Sequence, residues 1–382
     1  MSRTILLTGY PGFIAGQLLA RMLAEPRTTV RLLVLPQMKP AAEAALDALV
    51  ASQALENVRE RTEIIVGDIT RENLALDAAT RARLATEVDT VYHLAAIYDL
   101  ATPQAISRLV NVTGTEHVLE LCQTLPKLER LVYFSTAYVS GTRGGVCRED
   151  ELQESRAWKN FYEQTKWEAE MAVQRRWDKI PTVIIRPGVV VGDSHTGEIN
   201  KYDGPYFVIR ALVDLERKGR LGWARWLWSR GGKPRLYMVP VDFICDVTEY
   251  LAARPDAAGR AYHVLQNPSL SMGELTERLF ALVGLRPPVL SYPAWLGSAS
   301  MRFVPGLVAM LQIPPAVYSY MQHEVTYDTT NLDWALAGSG IRCPQPDEYL
   351  PAMVAFVRSH PEIAANFGTH ATSRPEKVIA QS

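Results

Sequence analysis

The sequence predicts an α/β protein in which a doubly wound parallel sheet is joined to a smaller, mostly helical domain. Short apolar runs rich in branched residues alternate with amphipathic stretches over the first 190 residues. A glycine-rich turn follows the first of these runs. The alternation is typical of parallel strands connected by helices, because each strand needs a crossover to return the chain to the same edge of the sheet.

Six apolar runs predict buried strands, at residues 4–8, 30–35, 63–66, 90–94, 130–134 and 182–185. Amphipathic stretches between them predict helices at residues 13–24, 104–124 and 157–177. Beyond residue 192 the pattern weakens, and we predict a strand at 261–265 and helices at 205–218 and 272–283. The predicted sheet domain comprises residues 1–192 plus about 236–270, the helical domain comprises about 193–235 plus 271–365, and residues 366–382 form a flexible tail.

The charge balance and the cysteine spacing exclude several classes of protein. The 382 residues carry 40 Lys and Arg against 41 Asp and Glu, a formal net charge of −1. Nucleic acid is not expected as a partner, because no basic excess is available to neutralise phosphates. Four widely separated cysteines and seven scattered histidines predict neither a metal site nor a disulfide framework, and they indicate a reducing, cytoplasmic location.

No signal peptide or transmembrane segment is predicted. Residues 303–322 carry no charge, but three prolines interrupt them, and a spanning helix tolerates such interruption poorly. They overlap an apolar region, residues 294–321, which we expect either to wall a substrate groove or to form the core of the helical domain. Peripheral contact with a membrane stays an alternative, because residues 222–228 (GWARWLW) are rich in tryptophan.

Residues 9–15 have the sequence GYPGFIA and stand between the first predicted strand and the first predicted helix. In this GxxGxxA pattern Gly9 makes the tight turn, Gly12 lets the backbone approach a pyrophosphate, and Ala15 allows close packing of helix on strand. The phosphates would bind at the positive end of the helix. The pattern predicts a Rossmann fold and a dinucleotide site that includes Gly9, Tyr10, Pro11, Gly12, Phe13 and Ile14.

The residues that follow the second and third strands concern the choice of cofactor. A sheet that binds NAD usually places Asp or Glu at the end of the second strand, but residues 31–39 (RLLVLPQMK) contain no acid. This favours NADPH, with Lys39 near the 2′-phosphate, and leaves NAD(H) possible because no arginine stands at the strand end. Asp68 and Ile69 are placed to reach the adenine, although Asp68 could equally cap a turn.

A Thr, a Tyr and a Lys form the predicted catalytic set. Tyr162 and Lys166 are four residues apart on a predicted helix and therefore share one helix face, and Thr136 follows the fifth strand. A free tyrosine has a pKa near 10, and a neighbouring ammonium would bring that pKa closer to neutrality. Thr136 would supply a hydroxyl to the reacting carbonyl oxygen.

Taken together, the motifs resemble those of the extended short-chain dehydrogenases/reductases, along nearly the whole chain to about residue 360. The segments that carry the resemblance are TGYPGFIA, GDIT, YHLAA, NVTGT, FSTAYVSG, YEQTK, RPGVVVG and PVDF. IRPGVVVGDSHTGEI and YDGPY are most similar to the branch of fatty acyl-CoA reductases, fatty aldehyde reductases and thioester-reductase domains. Leu35 departs from this branch, where an arginine often holds the 2′-phosphate.

The resemblance implies an NADPH-dependent reductase that transfers hydride to the carbonyl of a hydrophobic aldehyde or acyl thioester. The substrate would be free or linked to CoA or to a carrier. Thr136, Tyr162 and Lys166 would be the catalytic residues, with the two last also contacting the cofactor. The further cofactor residues that the resemblance implies are Ala95 beside the adenosine, and Pro187, Gly188 and Val189 over the nicotinamide.

Two other classes of protein share this scaffold and stay open. The first is an NAD-dependent sugar-nucleotide epimerase or dehydratase, or a hydroxysteroid dehydrogenase, which would retain its cofactor tightly. The second, less favoured, is a non-enzymatic NADP-binding regulator, because such proteins often lack the Tyr or the Lys that this sequence keeps.

Overall fold

A parallel seven-stranded sheet lies at the centre of the computed structural model, which describes residues 3–52, 55–99, 102–217, 232–288 and 324–363. Its strands follow the order β11-β7-β5-β4-β1-β2-β3, so the first strand lies inside the sheet and the chain winds outward to both edges. The strands of the described residues are β1 Arg3–Thr8, β2 Thr28–Val34, β3 Thr62–Val66, β4 Thr90–His93, β5 Arg130–Phe134, β6 Gly145–Cys147, β7 Thr182–Pro187, β8 Val189–Val191, β9 Arg235–Leu236, β10 Met238–Pro240, β11 Arg260–Val264, β12 Leu270–Ser271 and β13 Val325–Tyr327.

Helices cover both faces of this sheet. Those of the described ranges are α1 Phe13–Ala24, α2 Lys39–Ala51, α3 Val58–Arg61, α4 Ala78–Glu87, α5 Gln104–Arg108, α6 Gly114–Gln123, α7 Phe161–Gln174, α8 Pro205–Arg217, α9 Val241–Ala253, α10 Met272–Leu282, α11 Thr330–Leu336 and α12 Pro346–Ser359. The doubly wound α/β fold predicted from the sequence is confirmed.

Alternation of side chains along the strands builds one apolar core on each face. In β1, Ile5 and Leu7 pack with α1, α2 and α9, whereas Leu6 points to the opposite face and packs with α4, α6 and α7. Successive side chains of a strand point to opposite faces, so a strand covered on both sides must be apolar throughout. This explains why the short apolar runs of the sequence identify the strands.

A third apolar core lies away from the sheet. It joins α8, α10 and α12 through residues such as Tyr206, Leu279 and Met353, all fully or nearly fully buried. Two two-stranded sheets accompany it, β8 with β10 and β9 with β12, and a third, β6 with β13, packs in a small apolar cluster of its own. These strands have two or three residues each, too short for a sequence pattern to identify them.

The predicted helix at 104–124 is interrupted in the structure. It consists of α5, a π-helical turn at Leu109–Thr113 and α6. The predicted helix at 157–177 begins only at Phe161, because the side chain of Asn160 accepts a hydrogen bond from the backbone N–H of Glu163 and caps the helix there.

Some predictions concern residues outside the described ranges, namely the tryptophan-rich residues 222–228, the apolar residues 294–321 and the tail 366–382. The division into two domains stays a prediction. Among the helices in the described part of the chain, none has the length and apolar character needed to cross a membrane.

Candidate active site

The glycine turn between β1 and α1 is shaped for close approach by another backbone or a ligand. Gly9 has a φ of +91°, and a Cβ on it would lie 2.9 Å from the backbone N of Ala95. The N–H of Gly12 donates to the carbonyl of Gly9 over 2.8 Å, and Gly12 itself is exposed. The turn thus leaves the start of α1 open, as a pyrophosphate requires. Ala95, predicted to line the adenosine, lies directly against this turn.

The side chains around Gly12 differ in what they can offer a cofactor. Tyr10 is 6% exposed and packs in the core beneath the turn, where burial raises the pKa of its phenol to about 12. Pro11, Phe13 and Ile14 are half-buried beside it. The structure therefore places the backbone of Tyr10 at the turn and its side chain inside the protein.

An exposed cation, Lys39, follows β2 near the predicted ribose position. Lys39 opens α2 and lies 3.7 Å from the carboxylate of Glu43, with about half of its side chain exposed. Arg31 is engaged elsewhere, by Glu63 at 3.3 Å and Glu87 at 2.9 Å. Of these two cations, Lys39 has the more exposed side chain, and its contact with a 2′-phosphate stays a prediction.

Asp68 and Ile69 follow β3 and are held by local contacts. The Asp68 Oδ1 accepts hydrogen bonds from the N–H and the hydroxyl of Thr70, at 2.8 and 2.7 Å, which is the turn cap considered as the alternative above. Ile69 is buried, and its side chain lies against Gly114 of α6. The structure therefore gives both residues a structural role at the position where the sequence predicts adenine contacts.

Thr136 and Tyr162 come together at the carboxyl edge of the sheet. Thr136 follows β5, and its side chain is hydrogen-bonded to that of Tyr162 in the first turn of α7. Burial raises the pKa of Tyr162 to about 12, the hydrogen bond from Thr136 lowers it, and the neighbouring Glu163 raises it further. Tyr162 is therefore a protonated phenol at neutral pH.

Lys166 lies one turn further along α7, with its amine directed at β5. The Nζ donates to the Tyr133 hydroxyl at 3.0 Å and to the Phe134 carbonyl at 2.6 Å. Burial lowers the pKa of Lys166 to about 7, against the effect of Glu170, which raises it. The sequence predicts that this ammonium lowers the pKa of Tyr162, whereas here the phenol pKa is raised, because burial dominates and the amine bonds to β5.

A buried ion pair ties α7 to the two strands that carry the site. The guanidinium of Arg186 on β7 lies 2.6 Å from a carboxylate oxygen of Glu170, and both side chains are at most 1% exposed. The other oxygen of Glu170 accepts a hydrogen bond of 2.5 Å from Ser135, the residue before Thr136. This pair fixes α7 and the end of β5 relative to each other.

The segment predicted to cover the nicotinamide follows β7 at the same edge of the sheet. A Cβ on Gly188 would lie 2.1 Å from the carbonyl oxygen of Tyr237, so only glycine allows this approach. The N–H of Val189 donates to that same oxygen over 2.7 Å. Pro187 is buried and Val189 is half-buried.

Asn111 lies in the π-helical turn and crosslinks the site. Its amide oxygen accepts from the N–H of Ile97 at 2.8 Å, and its Nδ2 donates to the Ile97 carbonyl and to the Thr165 hydroxyl, each at 3.0 Å. The loop after β4 is thereby joined to α7.

In the part of the chain that the structure describes, Asp193, His195 and Asp242 form one group whose ligand atoms lie within 4.8 Å of one another. The carboxylates already cap a turn: Asp242 accepts from the N–H and hydroxyl of Ser194, and Asp193 accepts from the N–H of His195. The side chain of His195 is 85% exposed. The expectation of no metal site stays a prediction.

The fold and the glycine turn define a NAD(P)-binding Rossmann protein of the extended short-chain dehydrogenase/reductase type. The sequence pattern of the family described as Male sterility protein, an NAD-binding family, matches residues 7–248. The chain belongs to this family. NAD(P) binding is thus shown by family, as the sequence predicts.

Known proteins similar to this chain include reductases and a protein of peptide synthesis. A linear gramicidin synthase of Brevibacillus parabrevis is 30% identical over 271 residues, covering 69% of this chain and 5% of that protein. An aldehyde reductase of Aspergillus flavus is 27% identical over 384 residues, covering 91% of this chain and 35% of that protein. The chain therefore spans only a part of these relatives.

Among solved structures, the terminal R domain from the myxalamid PKS-NRPS biosynthetic pathway is 26% identical, with a TM-score of 0.79. The match covers 95% of this chain and 92% of that domain. This similarity extends over the sheet and over the helical core beside it.

Proposed function

We propose that the protein is an NADPH-dependent reductase acting on the carbonyl carbon of a hydrophobic aldehyde or acyl thioester. The observation that carries this proposal is that the side chains of Thr136 and Tyr162 lie beside each other at the sheet edge where the glycine turn also lies. In parallel sheets ligands bind at this edge. The similarity to an aldehyde reductase and to a terminal R domain supports the same substrates.

The residues present fit a dinucleotide, because Gly12 is exposed at the start of α1 and a Cβ at Gly9 or Gly12 would collide with the backbone that forms the turn. The backbone of this turn would hold the pyrophosphate, and Lys39 would meet the 2′-phosphate. The segment from Pro187 to Val189 would lie over the nicotinamide. A bound NADPH supplies the hydride.

The two hydroxyls divide the work on the carbonyl oxygen. Thr136 donates a hydrogen bond to the oxygen, and Tyr162 donates both a hydrogen bond and, as the oxygen gains negative charge, its proton. With a pKa of about 12 the phenol starts protonated, as an acid must. The cationic form of Lys166 offsets the tyrosinate left behind, and solvent later returns the proton.

An aldehyde receives one hydride and one proton and becomes an alcohol. An acyl thioester receives the same and becomes a hemithioacetal, whose carbon–sulfur bond then breaks to release the thiol and an aldehyde. A second round with another NADPH would convert that aldehyde to the alcohol. Thr136 and Tyr162 can act in each round, because each round begins with hydride transfer to a carbonyl carbon whose oxygen they bind.

Replacing Tyr162 with Phe tests the assignment of the acid. Only the phenol oxygen is removed, so turnover should fall by about 10²–10⁴ while the affinity for NADPH stays within a few fold. Oxidation of NADPH, followed by its absorbance, gives the rate, and fluorescence titration gives the affinity. Tyr250→Phe is the matched control, since the Tyr250 hydroxyl accepts a hydrogen bond from Arg254, the residue that follows α9. Retention of more than a tenth of the wild-type rate in Tyr162→Phe would show that the acid is misassigned.

A substrate panel separates this proposal from its main rival. The wild type is assayed with aldehydes from C4 to C10, with acyl-CoA and with carrier-linked acyl groups. Each methylene that an apolar groove buries contributes about 0.8 kcal/mol, so catalytic efficiency should rise with chain length. An epimerase, a dehydratase or a hydroxysteroid dehydrogenase would instead retain NAD through purification. A flat chain-length profile would point to a small polar or sugar substrate and would refute the hydrophobic substrate.

A further inference from the structure

A chain of hydrogen-bonded, buried side chains extends from Lys166 into the sheet, away from Tyr162. The Lys166 amine donates to the Tyr133 hydroxyl at 3.0 Å, and the next polar side chain beside that hydroxyl is Thr115. The Thr115 Oγ1 lies 3.1 Å from the Nε2 of His93, whose Nδ1 lies 2.8 Å from the Oγ1 of Thr8. All five side chains are at most 3% exposed, so water cannot replace these partners.

The far end of this chain fixes the position of its protons. The Thr8 Oγ1 accepts hydrogen bonds from the backbone N–H groups of Leu94 and Ala95, at 3.2 and 3.1 Å. Its own proton must therefore go to the Nδ1 of His93. Burial, together with the charge of Lys166, lowers the pKa of His93 to about 3, so the ring is neutral and carries one proton. That proton is on Nε2.

The same reasoning determines which groups donate and which accept between His93, Thr115 and Tyr133. The Nε2–H of His93 donates to Thr115, whose own proton goes to the carbonyl oxygen of Asn111 at 2.7 Å. The remaining lone pair of the Thr115 oxygen can only accept, so Tyr133 donates to it. The phenol oxygen of Tyr133 is then left with lone pairs alone, and these face the Lys166 amine.

We propose that Tyr133 is a positioning residue for Lys166: its hydroxyl, oriented by Thr115 and His93, is a fixed acceptor that sets the direction of the lysine amine. An ammonium has three N–H bonds. Tyr133 and the Phe134 carbonyl take two of them, so the direction of the third is determined. This inference rests on the proposed function in one respect, namely that Lys166 assists Tyr162.

The groups that face the Lys166 amine have opposing effects on its charge. Glu170, one turn along α7, favours the ammonium, and burial opposes it. His93 on β4 is neutral, and Tyr162 on α7 is protonated. Tyr133 on β5 is buried with its pKa well above the usual value, so it stays a neutral phenol. The Tyr133 oxygen is therefore an uncharged acceptor that stabilises the cation.

Tyr133→Phe keeps the ring, which lies 4.5 Å from the lysine nitrogen, and removes the acceptor. A hydrogen bond to a charged group corresponds to about one to two pKa units. We expect the pKa of Lys166 to fall by about one unit and the alkaline limb of the kcat–pH profile to fall with it. The pKa is read from the NMR signal of ¹³Cε-labelled lysine, assigned by its loss in Lys166→Met.

Tyr92→Phe is the matched control, because Tyr92 is equally buried on the neighbouring strand β4 and its hydroxyl faces Arg3 at 3.5 Å. It should leave both the NMR titration and the kcat–pH profile unchanged. Thr115→Val, which removes the group that orients Tyr133, should shift the Lys166 pKa in the same direction by less, and it decides the matter if Tyr133→Phe does not fold. The proposal is overturned if the Lys166 pKa in Tyr133→Phe equals that in Tyr92→Phe. Because the NMR titration needs no turnover, it separates this outcome from a failure of the proposed reductase activity.

Discussion

Arg186→Met would remove the positive half of the ion pair that holds the active-site elements together. The guanidinium and the Glu170 carboxylate are at most 1% exposed, and three nitrogen–oxygen contacts of 2.6 to 3.2 Å join them. The same guanidinium donates to the carbonyl oxygens of Glu149 and Glu151, each at 3.1 Å. Methionine keeps much of the volume and none of these donors.

The expected cost follows from the charge that is left behind. Removing one member of a buried ion pair destabilises a protein by about 3–5 kcal/mol, because the other charge remains buried without its partner. Replacing both residues removes both charges, so Arg186→Met/Glu170→Met should cost clearly less than the sum of the two single changes. Arg342→Met is the control: its guanidinium also pairs with a carboxylate, Glu348, at 2.8 Å, but its side chain is 69% exposed, and exposed pairs contribute little to stability.

Urea unfolding followed by circular dichroism gives the free energy of unfolding of each variant. The kcat of Arg186→Met should also fall, since Ser135, which binds the other oxygen of Glu170, directly precedes Thr136. The reasoning is refuted if Arg186→Met loses no more stability than Arg342→Met. It is equally refuted if the two single changes at the buried pair are additive in the double variant.

Two further predictions concern the cofactor and pH. Leu35→Asp places an acid at the end of β2, where it would repel a 2′-phosphate and accept hydrogen bonds from ribose hydroxyls. The ratio of kcat/KM for NADPH to kcat/KM for NADH should therefore fall. A wild type that already prefers NADH tenfold would contradict this prediction. His93 and His263 are buried and neutral, with pKa values lowered to about 3, mainly by burial. Because their folded pKa values lie below the unfolded value of 6.5, their contribution to stability is full above pH 6.5 and is lost as the pH falls toward 3. Between these pH values each histidine makes the free energy of unfolding rise with pH, by up to about 1.4 kcal/mol per pH unit. His263→Gln should therefore reduce the slope of the free energy of unfolding against pH, measured between pH 6.5 and 4.5. An unchanged slope would contradict the assignment of His263 as a buried neutral ring.

The sequence was sufficient for the sheet and for the glycine turn, for a physical reason. Strands covered by helices on both faces must be apolar at every position, and Gly9 is needed where a Cβ would lie 2.9 Å from the backbone N of Ala95. Such constraints act on residues adjacent in the chain and therefore appear as local patterns. The interrupted helix around Leu109–Thr113 shows the limit, since the π-helical turn depends on Asn111 reaching Ile97 and Thr165.

The contacts that support the active site could not be predicted from local sequence patterns. Glu170 and Arg186 are charged residues, which in a sequence usually indicate surface positions, and only the packing of α7 on β5 and β7 brings them together. Tyr133 looks like one more apolar residue of a buried strand, and its hydroxyl acquires a role only because Lys166 lies 3.0 Å away. Residues that act through distant partners carry no spacing signal.

Substitutions can distinguish residues that act at the reacting carbonyl from residues that bind the acyl chain. In the proposed reaction, Thr136 and Tyr162 would contact the carbonyl oxygen that every substrate shares, and Lys166 would assist Tyr162. Glu170 accepts a hydrogen bond from the residue that precedes Thr136, and Tyr133 accepts one from Lys166. Changes to any of these five should therefore lower kcat by a similar factor for short and long aldehydes. Changes in the apolar residues 294–321 should instead alter the dependence on chain length, because burial of methylenes contributes to binding along the acyl chain and not at the reacting carbon. A substitution at Tyr133 that altered the chain-length profile would contradict its assignment as a positioning residue of Lys166.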